Sequence, residues 1–258
     1  MLRSVNSFTG FNIAAKDGEI GFLESLHFDS SSWKVKYLVT DIVDFFSSQR
    51  VLLVPTDAYD LSWLDESIKI DLSKEQIKSA KPYSSDLPVS DQHELLRDRN
   101  LNSLYLAEPW SGSILPLWIP LLHKNDDKVL TEIGDPDLRC TKAIKGRRVK
   151  ASDKEAGVVK DFIVDTDTWM IKFLVIDTNG ILPFGDVLMA THHVSAWAED
   201  DTALEINFSS QDLEACPKYD PNEPVNREYV LKLYDYEGKF IRSESSSDNF
   251  EKLDASIK

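Results

Sequence analysis

The sequence predicts a mainly β protein: two tandem copies of one small β-barrel, each followed by short helices. Three observations carry this. One residue interval relates block after block along the chain. The segments inside each block read as short strands. Each block then switches to a capped helix. The interval is the 136 residues separating Gly21 from Gly157. It relates Asp17-Gly18-Glu19-Ile20-Gly21 to Asp153-Lys154-Glu155-Ala156-Gly157, Asp29 to Asp165, Trp33 to Trp169, Lys36 to Lys172 and Asp41 to Asp177. It returns at Ile68–Ser73 against Leu204–Ser209, at Tyr83 and Tyr219, and at Pro88-Val89 and Pro224-Val225. A fixed period of this kind marks a repeated structural unit.

In the second copy, Gly157–Val164 leads through the turn Asp165-Thr166-Asp167-Thr168 into Trp169–Ile176, rich in β-branched and aromatic residues. That composition and spacing predict a hairpin. Asn179-Gly180 supplies a further turn, because the pair tolerates positive φ. Val187–Ala190 and Ala203–Phe208 add two strands. The first copy matches with Ile20–Phe28, Lys34–Ile42, Arg50–Val54 and Ser67–Leu72. Short strands at this spacing suit a barrel, whose closure removes exposed edges. Ser73-Lys74-Glu75-Gln76 fits a capping box, with Ser209-Ser210-Gln211-Asp212 as its looser equivalent. Pro82 and Pro217 stop these helices early. A second helical stretch is expected after each Pro-Val, over 90–97 and 226–236.

The chain divides on this reading into a first barrel with trailing helices over 1–106, a Pro-rich apolar linker over 107–138, a second barrel with a trailing helix over 139–242, and a polar tail over 243–258 whose composition predicts disorder. The linker holds Trp110, Leu115, Leu117, Trp118 and Ile119 between three prolines that forbid a regular helix or central strand. Packing between the barrels is its first expected role. Docking of a partner protein is the second, since exposed apolar patches mark interaction sites, and those five residues are the candidate partner-binding set.

The chain has 258 residues, 42 % apolar and 28 % charged, as expected of a soluble protein. No apolar run approaches the roughly 18–20 residues needed to span a bilayer, and no signal-peptide pattern opens the chain, so a cytoplasmic location is expected. A net charge of −15 opposes direct nucleic-acid binding and unaided docking on anionic lipid. The one basic cluster, Lys142, Lys145, Arg147, Arg148 and Lys150, is read as a solvated surface. Cys140 and Cys216 make neither a CxxC pair nor a zinc spacing and are read as free thiols.

The pattern D-G-E-I-G before a strand, then D-x-x-x-W, then K-x-x-L-V-x-D, a helix after Leu-Ser, and P-V, resembles the PRC-barrel family. The second copy repeats these marks from Asp153 to Asp177 and continues with Pro224–Tyr229 and Leu233–Tyr236, similar to the tail of uncharacterised bacterial members. The resemblance covers both copies and leaves out the linker and the last residues. It implies a small β-barrel serving as an interaction module. In that family the barrel caps the H subunit of purple bacterial photosynthetic reaction centres and forms one domain of a ribosome-maturation factor. This chain lacks the transmembrane helix of the first and replaces the other barrel of the second with a second PRC-like unit.

No catalytic residue, cofactor or metal ligand is expected. His192-His193 follows a predicted strand, where neighbours face opposite ways and cannot easily share a metal. Asp165-Thr166-Asp167 lacks the Gly and the closing Glu of a calcium loop. Trp33 and Trp169 suit core packing or barrel-end closure, and Lys36 and Lys172 suit ion pairs with Asp41 and Asp177. The functional expectation is a non-catalytic adaptor that binds protein through the linker or the cleft between the barrels. The alternative is a small-ligand or metal sensor with its site between them. A homodimer is compatible with either, though no particular residue specifies one.

Overall fold

The computed structural model describes residues 1–44, 47–93, 135–179, 181, 185–198, 202–216 and 218–220. The first repeat forms β1 (Leu2–Ser4), β2 (Asn12–Ala15), β3 (Gly18–Asp29), β4 (Val35–Asp44), β5 (Ser47–Leu53), β6 (Ala58–Ser62), β7 (Ser67–Ile70), α1 (Lys74–Lys78) and β8 (Lys81–Pro82). The second forms β9 (Leu138–Cys140), α2 (Thr141–Ile144), β10 (Arg148–Lys150), β11 (Glu155–Asp165), β12 (Met170–Asp177), β13 (Asp186–Ala190), β14 (Val194–Trp197), β15 (Ala203–Ile206) and α3 (Ser210–Ala215). A helix also begins at 89–93. The expected helical stretches beyond it, the apolar linker through residue 134 and the polar tail lie outside the described residues.

The protein is mainly β, with two sheets of matching order. One runs β6-β7-β2-β3-β4-β5-β8 and the other β13-β12-β11-β10-β15-β14. Among the described residues each contains a single parallel pair, β2 with β7 and β10 with β15. The duplication extends to individual hydrogen bonds. Gly10 N–H donates to the Leu23 carbonyl and Gly146 N–H to the Val159 carbonyl, both at 2.8 Å. Ser73 and Ser209 each cap a helix in a complete capping box. Asp17 and Asp153 each accept from the first backbone N–H of that helix at 2.8 Å.

The repeats are not joined end to end. Each gives its first strand to the other. β1 pairs with β11 of the second repeat, and β9 pairs with β3 of the first. The registers are equivalent: Leu2 lies opposite Asp165, and Leu138 opposite Asp29. The exchange is possible because β3 and β11 are long. Their first halves pair with their own β2 and β10, which leaves the second halves open on that side. Between the sheets, Val35 N–H donates to the Trp169 carbonyl (2.8 Å) and Ile171 N–H to the Trp33 carbonyl (2.9 Å). These reciprocal bonds flank an antiparallel bridge between Lys34 and Met170. Trp33 and Trp169 hold positive φ values of 59° and 53°. A bulky residue persists there only where its surroundings fix it. One apolar core runs through both repeats, joining Phe28, Trp33 and Leu38 to Phe162, Trp169 and Leu174.

Gly21 and Gly157 explain the repeated glycine of the motif. A Cβ on Gly21 would lie 2.1 Å from the Asp41 carbonyl oxygen, and one on Gly157 2.3 Å from that of Asp177. The neighbouring strand's backbone would have to move. Gly21→Ala is therefore expected to cost about 2 kcal/mol or more, read as a lower urea midpoint. An unchanged midpoint would contradict the close approach.

Candidate functional site

A cleft of about 500 Å³ lies where the two repeats meet. One wall is the first repeat's turn, with Ser30, Ser31 and Trp33, beside Asp137. The other is Thr191 and His192 with strand β14. The turn is built by Asp29, whose carboxylate accepts from the backbone N–H groups of Ser31 (3.1 Å) and Ser32 (2.9 Å). Burial alone would raise the Asp29 pKa. Hydrogen bonds from Ser31, Ser32 and Lys36 outweigh it and hold the carboxyl well below its ordinary range. Asp137 belongs to the segment that enters β9, and its carbonyl accepts the Ser30 N–H at 2.8 Å. The strand exchange thus assembles this wall.

The floor is aromatic. Phe28 stacks on Trp33 with centroids 5.3 Å apart, and Trp197 tilts against Trp33 at 5.7 Å. The Arg139 guanidinium lies 5.2 Å from the Trp197 ring centre. The hydroxyl protons around the rim go to fixed acceptors: Ser31 to Asp29 (2.5 Å), Ser195 to the Glu205 carbonyl (3.1 Å), and Ser30 to Asp137 (3.4 Å). Their lone pairs and the exposed Asp137 carboxylate line the cleft, and the exposed His192 ring faces it. β14 ends its sheet path and pairs, among the described residues, with β15 alone.

The residues singled out by the sequence fall as follows. Trp110, Leu115, Leu117, Trp118 and Ile119 lie outside the described residues. Trp33 and Trp169 are both core residues, each 8 % exposed. His192-His193 sits in a 3-10 turn, Thr191–His193, rather than on a strand. His193 is buried with its Nδ1 3.0 Å from Asn207 Oδ1, whereas His192 faces the cleft. Lys36 pairs with Asp29 (3.0 Å) and Asp135 (2.6 Å). Lys142 and Lys145 of the basic cluster are engaged by Glu24 (2.7 Å) and Asp161 (3.7 Å). Cys140 and Cys216 are buried thiols, not joined in a disulfide. Among the described residues no three or more His, Cys, Asp or Glu side chains converge as a metal ion would need, and no helix is long and apolar enough to cross a membrane.

The outer faces of the two sheets differ where the repeats otherwise match. In the second, Ile163, Phe173, Val175 and Leu188 form a small apolar cluster covered by Leu2 and Tyr219. In the first, the position of Ile163 is taken by His27, fully buried against the Tyr83 ring at 5.3 Å. Among the described residues neither His27 ring nitrogen has a hydrogen-bond partner. Burial pushes its pKa from 6.5 down to about 4; the Asp91 and Asp86 carboxylates oppose the shift and Arg50 adds to it. The unfolded chain therefore takes up this proton first. The contribution is complete above about pH 6.5, declines as pH falls toward 4, and is worth about 3 kcal/mol across that span. His27→Ile copies the second repeat. It should raise stability at pH 7 by about 1 kcal/mol, by removing two unsatisfied polar atoms. The gain should widen on acidification. Denaturant melts of both proteins at pH 7 and pH 4.5 check this, and an equal difference at the two pH values would contradict it.

No known family model matches the chain, and no curated protein matches it.

Proposed function

We propose that the chain is a non-catalytic protein-interaction module made of two PRC-like barrels, and that the cleft between them receives an extended segment of a partner protein. The observation that carries this reading is the placement of β14. It is the terminal strand of its sheet path, and it lines a cleft whose opposite wall comes from the other repeat. A strand of this kind can pair with an added peptide through backbone hydrogen bonds, while side-chain pockets select the sequence. Trp33 and Trp197 offer apolar contact, and Asp137 and His192 offer polar contact. The rim hydroxyls give their protons to structural acceptors, which suits recognition better than nucleophilic attack.

The test compares capture of partners from source lysate by wild type, by Ser195→Arg and Asp137→Lys, and by a linker variant with Trp110, Leu115, Leu117, Trp118 and Ile119 changed to Ser. Circular dichroism verifies folding of each. Loss of the same partner in both cleft variants, with retention by the linker variant, is the expected pattern. Loss in the linker variant alone would move the site to that segment.

A second reading, a small-ligand sensor, draws on the cleft's volume, since about 500 Å³ falls within the usual range for such sites. A metabolite at about 100 times its Kd would add about 2.7 kcal/mol in a thermal-shift screen. A flat screen would leave the protein-binding reading alone.

A further inference from the structure

We infer that the open half-edge of β3 and of β11 accepts the first strand of a second copy of this chain as well as of its own, so that two copies can assemble by reciprocal exchange of their repeats. The contacts between residues 1–93 and 135–220 are non-covalent, and the exchange does not depend on which chain supplies the donor. Each donor strand carries the same two leading residues. Leu2 covers the apolar cluster around Ile163, and Leu138 is fully buried in the equivalent place. The Arg3 guanidinium lies 4.4 Å from the Trp63 ring centre, and that of Arg139 5.2 Å from Trp197.

The third residue sets which repeat is accepted. The Ser4 hydroxyl donates to the buried Asp161 carboxylate, whereas Cys140 Sγ lies 3.6 Å from Ser25 Oγ. Putting Cys140 against Asp161 would replace the hydroxyl donor of a buried carboxylate with a weaker thiol donor. A second copy should therefore dock as first repeat with second repeat, never as two second repeats.

The connection permits this. The Gln92 side-chain amide donates to the Asp135 carbonyl at 3.0 Å, so within one chain the link needs to span almost nothing. Yet residues 94–134 lie between these ends, enough at full extension to reach roughly 100 Å or more. A tether holds its own partner at roughly millimolar local concentration, so exchange within one chain should prevail in dilute solution and exchange between chains at high concentration.

The test refolds the full-length chain from guanidinium at about 1 μM, far below that tether concentration, and at about 1 mM, comparable with it, where exchange between chains competes. It uses an equal mixture of unlabelled and nitrogen-15-labelled copies carrying a specific protease site between Asp126 and Asp127. The dimer fraction is isolated, cut, and weighed by native mass spectrometry. A dimer that grows with concentration, and that on cutting falls into particles pairing a labelled N-terminal fragment with an unlabelled C-terminal one, is the expected result. Absence of dimer at the higher concentration would overturn the inference. So would a dimer whose cut particles are isotopically uniform, which denotes an ordinary surface contact.

Discussion

Phe28→Ala is expected to lower the stability of the whole chain by about 3–5 kcal/mol, the range for removing a buried aromatic side chain. Phe28 is fully buried on β3, and its ring contacts reach the second repeat as well as the first. It stacks on Trp33 and tilts against Phe162 at 5.7 Å and Trp197 at 6.4 Å. The equivalent position in the second repeat is Val164, so the aromatic cluster is one-sided and the second repeat has no copy to substitute for it. Phe28→Leu retains most of the volume and should cost much less. Guanidinium melts followed by tryptophan fluorescence read the difference. A loss below about 1 kcal/mol would mean that the junction is not the centre of the core.

Asp161→Ala is expected to cost about 3 kcal/mol, although it removes no apolar contact. Asp161 is 4 % exposed; it accepts from the Ser4 hydroxyl and from Asn6 N–H (3.2 Å), and it pairs with the Lys145 ammonium at 3.7 Å. Burial holds the Asp161 pKa above its ordinary value and the Lys145 pKa below its own. The Asp161 charge is held by the Ser4 hydroxyl, the backbone and then Lys145, and the Lys145 charge by Asp161, so removing the carboxylate leaves the ammonium without a counter-charge in a partly desolvated place. The first repeat has Ser25 and Thr9 at the same two positions. The double variant Asp161→Ser with Lys145→Thr reproduces that neutral pair and should recover most of the loss. A double variant as unstable as Asp161→Ala would show that the ion pair is not the reason. Denaturant midpoints of the three proteins decide between these.

The sequence made part of this architecture legible. The 136-residue interval, the hairpins β3–β4 and β11–β12, and both helix caps rest on local signals: periodicity, turn residues and capping boxes. The exchange did not emerge, for a physical reason. Leu2–Ser4 and Leu138–Cys140 are three-residue strands, too short to show a period, and nothing local states which edge a strand will join. The recurrence of Leu-Arg at residues 2 and 138 and of Gly at 10 and 146 keeps the same interval and marks the start of each repeat. It still does not reveal that the strands cross. A cleft between the repeats was expected, but its lining was hidden, because Ser30–Trp33 and Thr191–Trp197 are distant in the chain and meet through the exchange and the bridge at Lys34 and Met170. The partner of Lys36 was misread as Asp41 because proximity in sequence stood in for proximity in space. His27 carried no signal until its twin, Ile163, showed what the same site looks like when apolar.

The central claim is that the two repeats are one folding unit, held by reciprocal strand exchange and a shared core. Differential scanning calorimetry of the intact chain, Phe28→Ala and Asp161→Ala tests it most directly. The account predicts one transition in each protein, with calorimetric and van't Hoff enthalpies equal, shifted as a whole to lower temperature by either substitution. Two separable transitions, with Phe28→Ala moving only one and Asp161→Ala only the other, would contradict it.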